Sequence, residues 1–388
     1  MTAALAGIRV VDFSWIIAGP MTTKMLGAMG AEVIKIESAL RPEHMNRGGA
    51  FPILNNNKRS CSIDITRPEG QALLRRLVAM SNLVVENFSA RVLKKHGLAY
   101  EDLTAVRPDL IFVSASGVGR TGPQKDGLAY GTLLQAYSGR AGMIGEPNLK
   151  LEAMGILPVW TDQVTALWET LAVLAAVHHW RRTGEGGHID LSMLESTVAL
   201  LPEALLRHAL EADGNAPAGN DEGDAAPGGC FRCAGDDAWI AVSVRSDREW
   251  EGLCAAIARP DLQVEGQYKQ QRGRLDRKRD LDALLASWLR DRDAAAAETA
   301  LLAHGVPAAR TRRFTDVIED PQLVERGVFP ELPDGQRSIA LPWRDADGGR
   351  GTMAPAPALG QDNDYVFGEL LGMGRDEIDA LIAAEVIR

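Results

Sequence analysis

Two short apolar runs bracket the first helical segment of the chain, and this arrangement limits the fold more than any other feature. Residues 8–13 (IRVVDF) and 32–37 (EVIKIE) read as strands, and GPMTTKMLGAMG between them reads as a helix closed by Gly30. Strand, helix and strand in that order make a βαβ unit, which joins parallel neighbours and needs both sheet faces covered. The pattern recurs with a strand near SCSIDI, a helix from Pro68 to about Met80, a strand at NLVVEN, a helix near 91–105 and a strand at DLIFVSAS. A long helix is expected from Gln163 to Arg182, its apolar face made by Val164, Leu167, Leu171, Leu174 and Ala175. Gly184, Gly186 and Gly187 stop it before the strand HIDLSM.

The repeating pattern breaks at 211–229 (EADGNAPAGNDEGDAAPGG), which has almost nothing to bury and reads as an exposed linker. Residues 1–210 therefore form a large α/β domain. After the linker, CFRCAGDDAWIAVSV reads as a hairpin, and Asp247–Ala256 and Leu281–Leu302 read as helices, giving a small domain over 230–318. Residues 319–388 are loop-rich, with an extended segment PAPALGQD and a last helix containing DEIDALIAAEVI. A chain of 388 residues with a formal charge of −10 suits neither nucleic acid nor an anionic membrane as a general partner. Four scattered cysteines argue for a reducing, cytoplasmic setting, and MTAALAGIRVVDF lacks the pattern of a secretion signal. The longest apolar helical stretch carries Glu169 and is too short to span a bilayer.

Motifs for familiar chemistries are present only in fragments. Gly117–Gly122 (GVGRTG) has the spacing of a dinucleotide-binding glycine loop, but the residues after it, PQKDG, do not open a helix. No ATP-binding P-loop pattern occurs, which favours group transfer over ligation. Cys230 and Cys233 form a lone C-x-x-C that lacks two zinc ligands, and no other metal set is evident. His178 and His179 point about 100° apart on a helix and cannot serve one site together. Asn55-Asn56-Asn57-Lys58-Arg59 places amides and two cations in a turn, suited to a phosphate or simply to solvent. Asp162, where LPVWT meets the long helix, reads from its position as a helix cap.

Together, GIRVVDFSWIIAGP, LGAMGAEVIKIES, NNNKRSCSIDITRPEG, LVVENF, SGVGRTGP, the segment around Asp162, TGEGGHIDLSMLE, GVPAAR and APALGQDN followed by LLG resemble the class III CoA-transferases, the CaiB/BaiF family, over nearly the whole chain. The resemblance implies a Rossmann-like large α/β domain formed by both chain ends, a smaller α+β domain, and a homodimer interlocked like links of a chain. It implies an enzyme that moves coenzyme A from an acyl-CoA donor to a free carboxylic acid acceptor. No tightly bound cofactor is implied, since CoA is substrate. Asp162 occupies the position of the family's catalytic aspartate, which forms anhydride and thioester intermediates in turn. Ile17, Ala18, Leu54, Asn55, Asn56, Asn57, Asn87, Phe88, Lys95, Leu128, Ala129 and Tyr130 match positions that contact CoA in the family. Lys58 and Arg59 join them on charge alone.

The chain departs from relatives at Ser89-Ala90-Arg91, where many have a Pro-Gly turn, and Arg91 is a possible extra CoA contact. Ile17 replaces the glutamine of formyl-CoA:oxalate transferases, so oxalate is not the expected acid. The racemases of the same fold carry a histidine base at the position of Asp126. A racemase and a catalytically silent CoA-binding subunit are the alternatives.

Overall fold

The computed structural model describes residues 3–38, 47, 49–89, 91–127, 129–145, 160–210, 217 and 219–388. Its described residues gather into two compact units. One comprises those of Met1–Ala141, Ile156–Ala212 and Gln322–Arg388; the other comprises those of Gly142–Gly155 and Asp213–Pro321.

The larger unit is built on six parallel strands: β1 (Arg9–Asp12), β2 (Glu32–Glu37), β3 (Lys58–Ser62), β4 (Leu83–Glu86), β5 (Ile111–Ser116) and β6 (Gly187–Ser192). Their order across the sheet is β3-β2-β1-β4-β5-β6, the doubly wound order of dinucleotide-binding folds. Alternate side chains feed two cores, as a sheet covered on both faces requires. Val10, Val33, Leu83, Val85, Ile111 and Val113 pack on one side with Leu26, Val173 and Val177 from helices Ala18–Ala28 and Thr161–Thr183. Val11, Ile34, Val84 and Phe112 pack on the other side with Leu73, Leu74 and Leu77 from helix Pro68–Ala79.

The chain's end completes that second core through Val366, Phe367, Ile378 and Ile387. Polar ties hold it there: Asp362 accepts from Arg59 and from the Ser60 amide, and Ile387 bridges to Ile63. Both chain ends therefore belong to one unit.

In the larger unit and the linker, three expected elements change. The helix near 91–105 is two short ones, Arg91–Lys95 and Tyr100–Leu103, parted by Gly97 in the left-handed region. The long helix buries Thr165, Ala166, Glu169, Thr170, Val173 and Val177, whereas Leu167 and Leu171 are more than half exposed. Small and β-branched residues let helix Ala18–Ala28 lie close, so the leucines face outward. The stretch read as linker is, over 219–229, part of the smaller unit: Ala225 and Ala226 are fully buried, and Asn220 bonds both backbone groups of Cys230.

In the smaller unit β7 (Gly228–Arg232), β8 (Trp239–Ser243) and β9 (Ala308–Arg310) form an antiparallel sheet. Helices Asp247–Ala256, Lys278–Leu289 and Ala294–Ala303 supply Trp250, Leu253, Leu281, Leu285 and Leu301 to its core. The single helix expected over Leu281–Leu302 breaks because Asp293 caps a new one, accepting from the amides of Ala295 and Ala296.

Candidate active site

Helix Ala18–Ala28 leaves the carboxyl end of β1, and helix Thr161–Thr183 enters the amino end of β6, so both run against the strands. Their N-termini consequently meet at the carboxyl edge of the sheet, where α/β folds bind ligands and where two helix dipoles favour anions. Glu169 and Thr22 fasten the pair, Thr22 Oγ1 lying 2.8 Å from Glu169 Oε2. Counting along each axis from this tie, Asp162 lies about 10 Å toward the N-terminus of its helix and Ala18 about 6 Å toward that of its own. Asp162 thus stands slightly beyond the first turn that follows Ile17.

Asp162 is the second residue of its helix rather than its cap; Trp160 holds the cap position without a side-chain bond. Burial raises its carboxyl above the ordinary aspartate value, only partly offset by a backbone hydrogen bond. Thr161 Oγ1 donates to the Gly131 carbonyl, and Gln135 Oε1 accepts from the Trp160 amide and from Arg140 Nη1. Helix Gly131–Tyr137 therefore holds the turn that carries Asp162 from the side.

The strand order reverses between β1 and β4, and the loops leaving them are stitched together. Asn87 accepts from the Trp15 amide and donates to the Trp15 carbonyl, both at 2.7 Å, while Trp15 and Phe88 meet edge to face with centroids 5.5 Å apart. Glu86 accepts from the Phe88 amide and pairs with Arg120 of the glycine loop. That loop does not open a helix, and Arg120 anchors its backbone amide to Asp190. Beneath the β1 loop, Asp12 accepts from Ser14, Thr23 and Lys58, and Lys35 donates to the Ser14 carbonyl. Burial alone would raise the Asp12 carboxyl, but the two ammonium groups and the hydroxyl bonds outweigh it and hold it at about 2.

Some of the expected residues lie together at this edge. Ala18 and Ala129 belong to one apolar cluster with Leu134, Met193 and Val118, and Tyr130 is exposed at the start of helix Gly131–Tyr137. Ile17 is half-buried before its helix, Asn87 and Phe88 end β4, and Asn55 shares Lys58 Nζ with Asp12. Leu54 ends the short helix before the turn. Leu128 lies outside the described residues. Asn56 and Asn57 bond Ala354 and lie toward the far end of helix Ala18–Ala28, against Gly27. Lys95 is exposed and has no partner among the described residues.

Lys58 and Arg59 differ from expectation. Lys58 is buried and its ammonium is taken up by Asp12 and Asn55; Arg59 pairs with Glu32 and Asp362 and lies over the Tyr365 ring. Neither offers a free charge to a phosphate. Arg91 pairs with Asp126 at 3.0 Å. Sequence reasoning missed Glu169, which looked like a break in an apolar helix, and Arg140, a cation beside Trp160 without a carboxylate partner among the described residues.

The sequence model of CoA-transferase family III matches residues 5–363. A succinyl-CoA–D-citramalate CoA-transferase of Chloroflexus aurantiacus is 31% identical over 99% of this chain and 98% of its own length. A succinyl-CoA:mesaconate CoA-transferase of Haloarcula marismortui is 32% identical over 87% of this chain and 88% of its own. Among solved structures, a CaiB/BaiF family protein from Brucella suis superimposes with a TM-score of 0.86 at 28% identity, covering 95% of this chain and all of the other. With the doubly wound sheet and the aspartate at its carboxyl edge, these matches establish an enzyme of the CoA-transferring type, and the chain belongs to CoA-transferase family III.

Proposed function

We propose that Asp162 is the nucleophile of a cytoplasmic CoA-transferase whose acceptor is a dicarboxylic acid. The observation that carries the reading is the half-buried Asp162 carboxylate at the meeting of two helix N-termini, beside the loops that follow β1 and β4. Asp162 attacks the thioester carbonyl of the donor, forming a mixed anhydride and releasing CoA thiolate. The thiolate attacks the aspartyl carbonyl, which frees the donor acid and leaves an aspartyl-CoA thioester. The acceptor carboxylate attacks that thioester, expelling CoA thiolate and forming a second anhydride. CoA thiolate then takes the acceptor acyl group and restores Asp162. Thioester energy is conserved throughout, so positioning carries the catalysis and water must be kept out.

CoA in this reading lies along the residues that follow β1 and β4, with Lys95 toward its phosphates. The dicarboxylic acceptor is supported by the two relatives above, whose names pair succinyl-CoA with citramalate and mesaconate, and by Arg140, which has no carboxylate partner among the described residues and lies beside Trp160 at the start of the helix that carries Asp162. A racemase would need a base where Asp126 is held by Arg91, which disfavours it.

Purified protein mixed with succinyl-CoA and a panel of mono- and dicarboxylic acids, read by mass spectrometry, should yield new CoA esters of dicarboxylic acids. Asp162→Asn should abolish transfer with normal thermal unfolding, and hydroxylamine added to wild type with donor should label Asp162. Near-wild-type transfer by Asp162→Asn, checked for deamidation, overturns the mechanism. Transfer only after a second polypeptide is added would support the silent-subunit alternative.

A further inference from the structure

Glu169 is fully buried, and among the described residues only one of its oxygens has a partner: Oε2 meets Thr22 Oγ1, while Oε1 has none there. The same hydroxyl lies 3.1 Å from the Ala18 carbonyl and 3.3 Å from the Ala166 carbonyl. A protonated Glu169 can donate to Thr22, which in turn donates to one of those carbonyls, so the interface is bonded without a buried charge. An ionised Glu169 can only accept the Thr22 hydrogen bond, which withdraws that hydroxyl from the carbonyls and leaves a charged, unpartnered oxygen buried between the helices. Carboxylates at Asp12 and Glu86 add to that penalty, and burial with these charges pushes the Glu169 carboxyl up to about 8.

Among the described residues no cation bonds Glu169: Lys58 is taken up by Asp12, Lys35 by the Ser14 carbonyl and Arg120 by Glu86. Lys24 on helix Ala18–Ala28 directs its ammonium to Ser338, helix Gly131–Tyr137 and β5 carry no charged side chain, and Glu195, His188 and Asp190 on helix Met193–Val198 and β6 are exposed. Asp162 lies two turns away on the same helix.

We propose that Glu169 is a positioning residue: through Thr22 it fixes the helix that carries Asp162 against the helix that begins at Ala18, and so sets the nucleophile's place over the CoA-binding loop. This rests on the reading of Asp162 as nucleophile. Thr22 joins the two helices one turn inside the first and two turns inside the second, so loss of the tie lets their N-termini shift while their ends stay packed. A misplacement of about 1 Å at a reacting atom costs up to about a hundredfold in rate.

The test compares Glu169→Gln, Glu169→Leu and Thr22→Val with wild type, reading kcat, KM for acyl-CoA and the pH profile. Glu169→Gln keeps a neutral donor and acceptor; it should retain kcat within about threefold at pH 7 and lack the fall in kcat that the proposal expects of wild type above about pH 8. Glu169→Leu and Thr22→Val should lower kcat about tenfold to a hundredfold with KM changed far less. Wild-type kcat in a folded Leu or Val variant, or an unaltered alkaline limb in Glu169→Gln, overturns the proposal; the Gln variant decides should the others fail to fold. Absence of transfer by wild type would instead count against the nucleophile reading. The tie is then judged by unfolding: a Glu169→Gln difference from wild type that does not grow between pH 5 and 8 overturns it too.

Discussion

At the scale of single residues, Lys58 and Lys95 read alike in the sequence, yet they differ in every physical respect. Lys58 has neither solvent nor freedom: its ammonium lies 2.9 Å from Asp12 Oδ2 and 2.9 Å from Asn55 Oδ1, with both members of the ion pair fully covered. Removing one partner of such a pair strands a buried charge, which costs about 3–5 kcal/mol. Lys58→Met should therefore lower unfolding free energy by roughly that amount, measured in urea. The Asp12 carboxyl, held at about 2 against an ordinary 3.8, contributes stability that is present above pH 3.8 and lost as pH falls through about 2; in Lys58→Met the loss should begin at higher pH. Lys95→Ala removes an exposed side chain and should change stability by about 0.5 kcal/mol or less. It should weaken CoA binding at low salt, and the deficit should shrink at high salt. Equal stability in the two variants would contradict the burial difference, and unchanged CoA affinity in Lys95→Ala would remove that residue from the site.

At the scale of elements, the strands were legible because a parallel sheet covered on both faces needs apolar residues on either side of each strand, and Val33, Ile34 and Ile36 supply them in EVIKIE. The helix–strand alternation was legible for the same reason, whereas the return of the chain's end came from the family resemblance alone, since its polar ties through Asp362 leave no pattern in a loop-rich segment. The facing of helix Thr161–Thr183 was not, because periodicity marks leucines as core, whereas close helix contact selects Thr165, Ala166 and Thr170. The site was legible only in part: the turn at Asn87-Phe88 shows in the sequence, but the tie between Thr22 and Glu169 joins residues 147 apart that no local pattern links. Close approach also explains Gly19, in the first turn of helix Ala18–Ala28. A Cβ there would lie 2.3 Å from Ser14 Cβ and 2.8 Å from Ser14 Oγ, and Ser14 is held in place by Asp12 and Lys35. The helix or the β1 loop must then move, and Ile16, already left-handed at φ 67°, sits in that loop. Gly19→Ala should raise KM for acyl-CoA at least about tenfold. Wild-type KM with unchanged stability would show that the loop can move freely.

At the scale of the whole molecule, two helices of the larger unit leave large apolar side chains exposed among the described residues. Leu167, Trp168 and Leu171 line the outer face of helix Thr161–Thr183, and Leu205, Leu206 and Leu210 project from helix Pro202–Leu210, none of whose residues is buried. A nine-residue helix is too short to persist in water alone, so something must cover it. The proposed occupant is a second copy of the chain, interlocked with the first as the family resemblance implies. The protein should sediment as a dimer at micromolar concentration, and mixed tagged and untagged dimers should not exchange subunits over hours under native conditions, since interlocked chains separate only by unfolding. Leu205→Glu and Leu171→Glu place charge in the covered face; they should lower the yield of folded dimer rather than give an active monomer, because a buried unpaired carboxylate is costly and the uncovered leucines aggregate. A stable monomer that retains transfer activity, from wild type or from either variant, would show that this face needs no partner.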